Sequence, residues 1–112
     1  MQDKKISYLV VIYRANLDFF TGGVLESIVQ GGHSLLNAIH YLNAMKDLGW
    51  VGGASQVAEL NPLLIQYRNT PTEDMIRGLI SLTKADMYGK QQREEAIDNL
   101  LSLVQKNLKT FN

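Results

Sequence analysis

The clearest hydrophobic periodicity lies in the second half of the chain. Apolar residues recur at Met75, Ile76, Leu79, Ile80 and Met87, marking one face of a helix at 3.6-residue spacing. Thr70-Pro71-Thr72-Glu73 precedes them: Thr at N-cap, Pro at the first helical position and Glu at N3 form a capping box. Gly89, after Tyr88, is the expected stop. Gly78 lies inside this helix at a cost of about 1 kcal/mol relative to Ala, so a close helix crossing is expected there. A second stripe, Ile97, Leu100, Leu101, Val104 and Leu108, predicts a helix from about Gln91 to Leu108. Glu94 and Glu95 lie near its positive end and Lys106 and Lys109 near its negative end, as the macrodipole favours. The two helices read as an antiparallel hairpin.

A third helix is expected from Ser34 to Leu48, with Leu35, Ala38, Ile39, Leu42 and Met45 along one face. Gly49 follows as a left-handed C′ residue, and Trp50 at C″ is placed to fold back onto Met45, the contact of a Schellman ending. Gly52-Gly53 then breaks the chain. Asn61-Pro62 reads as N-cap plus first residue of a short helix ending near Arg68. The N-terminal third supports two readings. Ile6, Leu9, Val10, Tyr13, Leu17 and Phe20 fit a helical stripe, while Tyr8 to Tyr13 also fits a buried strand. Val24 to Gln30, between Gly22-Gly23 and Gly31-Gly32, suits a short helical turn or a strand paired with the N-terminus. The glycine doublets read as tight turns, with a hinged flap as the alternative. The expected fold is mainly α: one domain over residues 1–112, a compact bundle of four to five helices, with a short N-terminal β element as the alternative.

Composition narrows the function classes. With 112 residues, 46% of them hydrophobic and 20% charged, the chain has the make-up of one globular domain with a real core. No cysteine is present, which removes disulfides, thiolate chemistry and Cys-based zinc sites. Eleven basic and eleven acidic side chains cancel, whereas nucleic-acid binders usually carry a basic excess. Near-zero charge also leaves self-association unopposed. The longest apolar run, Tyr8 to Tyr13, falls far short of the roughly 20 residues of a membrane span. Asp3-Lys4-Lys5 ahead of that run has a faint signal-peptide look, but Arg14 and Asp18 follow at once. A cytoplasmic protein beginning at its own Met1 is expected.

Candidate chemistry is sparse. His33 and His40 are seven residues apart, with Asn37 between them and Asp47 beyond. On a helix extended back to His33 they share a polar face opposite Leu35, Ile39 and Leu42. Seven residues separate ligands by about 10 Å along the axis, too far to bridge one ion, so a solvated polar face is the expected reading. Tyr67-Arg68-Asn69 ends the short helix: Arg68 suits a helix C-terminus, and an aromatic beside a guanidinium also suits an interface. Trp50 is structural as a cap residue and a second interface candidate. Asp74, Arg77, Lys84 and Asp86 form a mixed-charge side. A helix-turn-helix reading meets Glu73 and Asp74 where a recognition helix faces phosphate. No phosphate loop, nucleophile elbow, H-E-x-x-H or calcium loop is present.

From Ala44 onward the chain resembles a family of small bacterial proteins of unknown function. The resemblance rests on Gly49-Trp50-Val51, Tyr67, Pro71, the helix start from Glu73 to Leu82, and Thr83-Lys84-Ala85-Asp86-Met87-Tyr88. That family often carries an Arg-aromatic pair and a glycine near the last stretch; here Met87 stands where the Arg would sit. The resemblance spans about two-thirds of the chain and implies a bacterial source but no activity.

The leading expectation is therefore a non-catalytic interaction or regulatory module that binds a protein partner or itself, without cofactor, metal or membrane. His33, His40, Trp50, Tyr67 and Arg68 are its candidate binding residues. The first alternative is a small enzyme or ligand-binding protein with a pocket between the N-terminal segment and the helix hairpin, lined by His33, His40 and Glu26. The second is a helix-turn-helix-like nucleic-acid binder.

Overall fold

A computed structural model describes residues 19–49, 57–85 and 88–111, with side chains placed for 21–49, 60–85 and 88–110. The expectations for the N-terminal stripe, Trp50, Gly52-Gly53, Asp86 and Met87 lie outside these residues. The described residues form five α-helices and no strand. They are α1 (Phe19–Gln30), α2 (Leu35–Leu48), α3 (Val57–Gln66), α4 (Pro71–Ala85) and α5 (Lys90–Phe111), with a 3-10 turn at Gly32–Ser34 between α1 and α2. The segment Val24 to Gln30, open between helix and strand in the sequence, is the second half of α1.

α1 and α2 pack as one hairpin and α4 and α5 as another. α2 also lies against α5 and α1 against α4, so these four helices close a ring around a shared core, while α3 packs on α4. Val24, Leu25 and Ile28 of α1, Ala38, Leu42 and Met45 of α2, Ile76 and Leu79 of α4, and Leu100 and Val104 of α5 are fully enclosed. Burying one such Leu or Ile stabilises the fold by about 1.5–3 kcal/mol.

Two glycines set how closely the helices approach. Gly22-Gly23 does not break the chain, as the sequence reading expected, but lies within α1. A Cβ on Gly23 would stand 2.6–2.9 Å from three ring atoms of Tyr41, so the ring of α2 rests on bare backbone. Gly78 marks the expected crossing: its Cβ would meet Leu100 Cδ1 of α5 at 2.9 Å. Gly31-Gly32 does turn the chain, with both residues at positive φ. Gly49 ends α2 in the left-handed conformation, its N–H donating to the Lys46 and Met45 carbonyls.

Several boundaries differ from those the sequence predicts; α2 starts at Leu35 instead of Ser34, and α5 runs on to Phe111, past the expected Leu108. α3 begins at Val57 and carries Pro62 in its interior, where the missing N–H costs a helical hydrogen bond. Burial of Leu60 and Leu63 on either side of the proline holds both turns. α4 ends at Ala85; the Tyr88 N–H then donates to the Ala85 carbonyl at 3.0 Å, and Gly89 adopts φ 106°. α5 starts at Lys90, the Arg93 N–H donating to the Gly89 carbonyl at 3.1 Å. Glu94 and Glu95 therefore lie in the second turn, past the strongest part of the dipole, and Lys90 instead approaches Glu94 at 4.0 Å.

Candidate functional site

The α4 cap shows how the sequence positions side chains locally. The Glu73 N–H donates to Thr70 Oγ1 at 3.4 Å and the Asn69 N–H donates to Glu73 Oε1 at 2.8 Å. The reciprocal bond of the expected capping box thus reaches one residue further back. Asn69 allows this by taking φ 64°, a left-handed conformation that Asn tolerates, and Thr70 Oγ1 donates to the Tyr67 carbonyl. Arg77 completes the arrangement: its Nη2 lies 2.9 Å and its Nε 3.0 Å from Glu73 Oε2. The Asn69 N–H first, and the Arg77 guanidinium second, hold the Glu73 carboxyl below the usual carboxylate range.

The candidate residues do not gather at one place. His33 lies in the 3-10 turn rather than on α2, because the helix starts at Leu35. His40 is exposed on α2 and, with Asn37, Tyr41 and Ala44, lines a groove of about 470 Å³. Both imidazoles are exposed, and His33 is not among the described lining residues of that groove. Glu26 sits half-buried on α1, 3.5 Å from Gln30 Nε2. Arg68 is exposed just past α3, whereas Tyr67 is half-buried and packs against the core. The Tyr67 hydroxyl is buried with no hydrogen-bond partner, and burial pushes this phenol up from its ordinary value of 10.0. Among the described residues no group of three or more His, Asp or Glu side chains could hold a metal ion, and no helix is long and apolar enough to cross a membrane.

What the structure adds is the character of the outer face of α2. Asn37, His40, Asn43 and Asp47 are exposed there, opposite Leu35 and Leu42 as expected. The same face also carries Leu36 and Leu48, 46% and 65% exposed at the two ends of the helix, with Ala44 between them. Asp47 is its one charged side chain, because Lys46 turns aside to donate to Asp98 Oδ1 of α5 at 2.8 Å. That bond, before the attraction of the Asp98 charge itself, raises the Lys46 ammonium above its ordinary value. α5 is the opposite case. Its exposed side chains include Lys90, Glu95, Asp98, Lys106 and Lys109. The sequence signal for the α2 face was present in Leu36 and Leu48, two leucines off the buried stripe. The Lys46–Asp98 pair, 52 residues apart, had none.

A second concavity of about 330 Å³ lies between α3 and α4, lined by Asn61, Leu64, Arg77, Ile80, Ser81 and Lys84. A third, of about 480 Å³, lies beside the α4 cap, where Glu73 and Asp74 face Lys106 and Asn107 of α5. Set against protein-family models, curated proteins and solved structures, the chain matches none.

Proposed function

We propose that this protein is a non-catalytic interaction or regulatory module whose contact surface is the outer face of α2. One observation carries the reading: Leu36 and Leu48 stand exposed at the two ends of α2, whose outer side carries a groove lined by Asn37, His40, Tyr41 and Ala44 and a single charge. Protein interfaces are depleted of charge at their centres and gather apolar and aromatic groups there. Solitary exposed leucines are ordinary on a protein surface; what supports a contact face is that two of them share one helix side with a groove that has no carboxylate, lysine or arginine among its described lining residues. His40 enters the proposal as a contact residue of this face. His33, Arg68 and Tyr67 lie outside it. Self-association is one form such contact takes, and a cytoplasmic setting and the bacterial small-protein resemblance belong to the same proposal.

The test is photo-crosslinking in living cells with p-benzoylphenylalanine in place of Ala44 or, as a control, of Ser102 on the exposed side of α5. The Ala44 position is expected to give a discrete adduct, at twice the chain mass for a self-complex or at a fixed larger mass for another partner. Adducts of equal yield from both positions, or none from Ala44, contradict the reading.

A further inference from the structure

The outer side of α2 carries an internal symmetry. Leu36, His40, Ala44 and Leu48 follow one another at four-residue intervals, so they form one ridge across the helix surface, about 18 Å long when measured along the axis. Leu36, His40 and Leu48 are exposed and Ala44 is half-buried. The next row on one side holds Asn37 and Tyr41, and the groove of about 470 Å³ lined by Asn37, His40, Tyr41 and Ala44 separates it from the ridge. The next row on the other side holds Asn43 and Asp47, both exposed. Ridge and groove thus stand side by side on a single helix, as a surface that packs against its own copy requires.

The ridge is also matched to itself when reversed. A two-fold axis between His40 and Ala44 sets Leu36 beside Leu48 of the second copy, so leucine meets leucine at both ends. In the middle it sets the imidazole of His40 beside the single methyl of Ala44, a large group against a small one. The same axis brings Asn37 to Asp47 of the second copy. The Asn37 amide donates to that carboxylate, so the one charged side chain of the face gains a donor in each half. A parallel pairing sets Asp47 against Asp47 instead and loses these matches. With whole-chain charges that cancel, no general repulsion opposes the contact.

We propose that the partner of the α2 face is a second copy of this chain, packed antiparallel about a two-fold axis that passes between His40 and Ala44. The proposal rests on the reading of this face as a contact surface and names its occupant. Each ridge lies in the groove of the other copy, the interdigitation of four-residue ridges that is commonest between helices of globular proteins. One helix pair buries far less than a permanent dimer does, so the dimer forms reversibly and grows with concentration.

The chain contains no cysteine, so introduced thiols report without background. Leu36→Cys with a long affinity tag and untagged Leu48→Cys are mixed and treated with bis(maleimido)ethane, a short thiol crosslinker. The mixed adduct is expected at least about fivefold above the adduct either variant forms alone, because the axis joins Leu36 to Leu48 and leaves each about 18 Å along the helix from its own mate. Leu36→Cys mixed with Ser102→Cys, on the exposed side of α5, supplies the background level. Asn37→Asp in both chains brings two carboxylates together and is expected to lower the mixed adduct at least about threefold. Adding Asp47→Asn exchanges donor and acceptor and is expected to restore it. All the substituted residues are exposed, so the variants retain the fold, which circular dichroism checks. No mixed adduct above the Ser102→Cys level, like-with-like adducts of equal yield, or a failure of Asp47→Asn to restore the yield overturns the proposal. A photo-adduct of fixed larger mass from Ala44 without the mixed thiol adduct overturns the self-complex and leaves the contact face standing. No adduct from Ala44 of any mass removes that reading itself.

Discussion

At Gly23 the ring of Tyr41 occupies the volume any side chain would need, with three ring atoms inside 3.0 Å of a built Cβ. All three ring atoms would have to move together, and a planar ring half-buried against the core cannot clear them by turning one terminal bond. Gly23→Ala is therefore expected to destabilise by about 1–3 kcal/mol, the cost of overpacking, in spite of the roughly 1 kcal/mol that Ala gains in helix propensity. At Gly78 one methyl, Leu100 Cδ1 at 2.9 Å, is too close and Leu103 Cδ1 at 3.5 Å is in ordinary contact; the close atom ends a rotatable side chain, so Gly78→Ala is expected to stay within about 1 kcal/mol of the parent. Urea unfolding of the two variants measures the contrast; equal effects contradict it. The sequence revealed one of these glycines and concealed the other. Gly78 interrupts a helix with strong periodicity and a firm cap, so its cost demanded a crossing. Gly22-Gly23 precedes a short apolar run and looks the same whether it breaks a helix or admits a ring. Only the neighbour distinguishes these cases, and Tyr41 lies 18 positions away.

At the scale of the element, α4 was the most legible because its start signal is local: Thr70, Pro71 and Glu73 specify the first turn through bonds spanning a few residues. The cap also gives the fold a pH dependence of known sign. Glu73 is held below its unfolded value of 4.5 by the Asn69 N–H and by Arg77. Its contribution is thus fully present above that value and lost as pH falls through the lowered one. Glu73→Gln is expected to lower the thermal midpoint at pH 7 and to flatten the decline of stability below about pH 4.5. Thermal melts of both proteins from pH 3 to pH 7 check this, and parallel curves contradict it. Where local signals compete with burial, burial wins. Pro62 follows an Asn and looks like a helix start, yet α3 begins at Val57 because Leu60 must reach the core along with Leu63. At α5 no such conflict arises: Gly89 supplies the turn and the helix starts at Lys90, within one residue of the expected start.

For the whole molecule, the stripes predicted a helical bundle and the structure is one, but no stripe states which helices are neighbours. The ring of α1, α2, α5 and α4 follows from two short hairpins facing each other. Pairings between hairpins, such as Lys46 with Asp98, lack any sequence periodicity. The candidate site was legible to the same degree. His40 was singled out and lies on the proposed contact face, whereas the groove of Leu64, Ile80 and Lys84 exists only because α3 folds against α4. The central claim is that the α2 face buries its leucines against another protein surface. Sedimentation velocity on the parent and on Leu36→Asp/Leu48→Asp, each run as the pure chain and again with the partner identified by crosslinking from Ala44, tests it most directly. The parent is expected to sediment as a complex whose population grows with concentration, and the double variant as a monomer with unchanged helicity. A double variant that associates as strongly as the parent contradicts the claim.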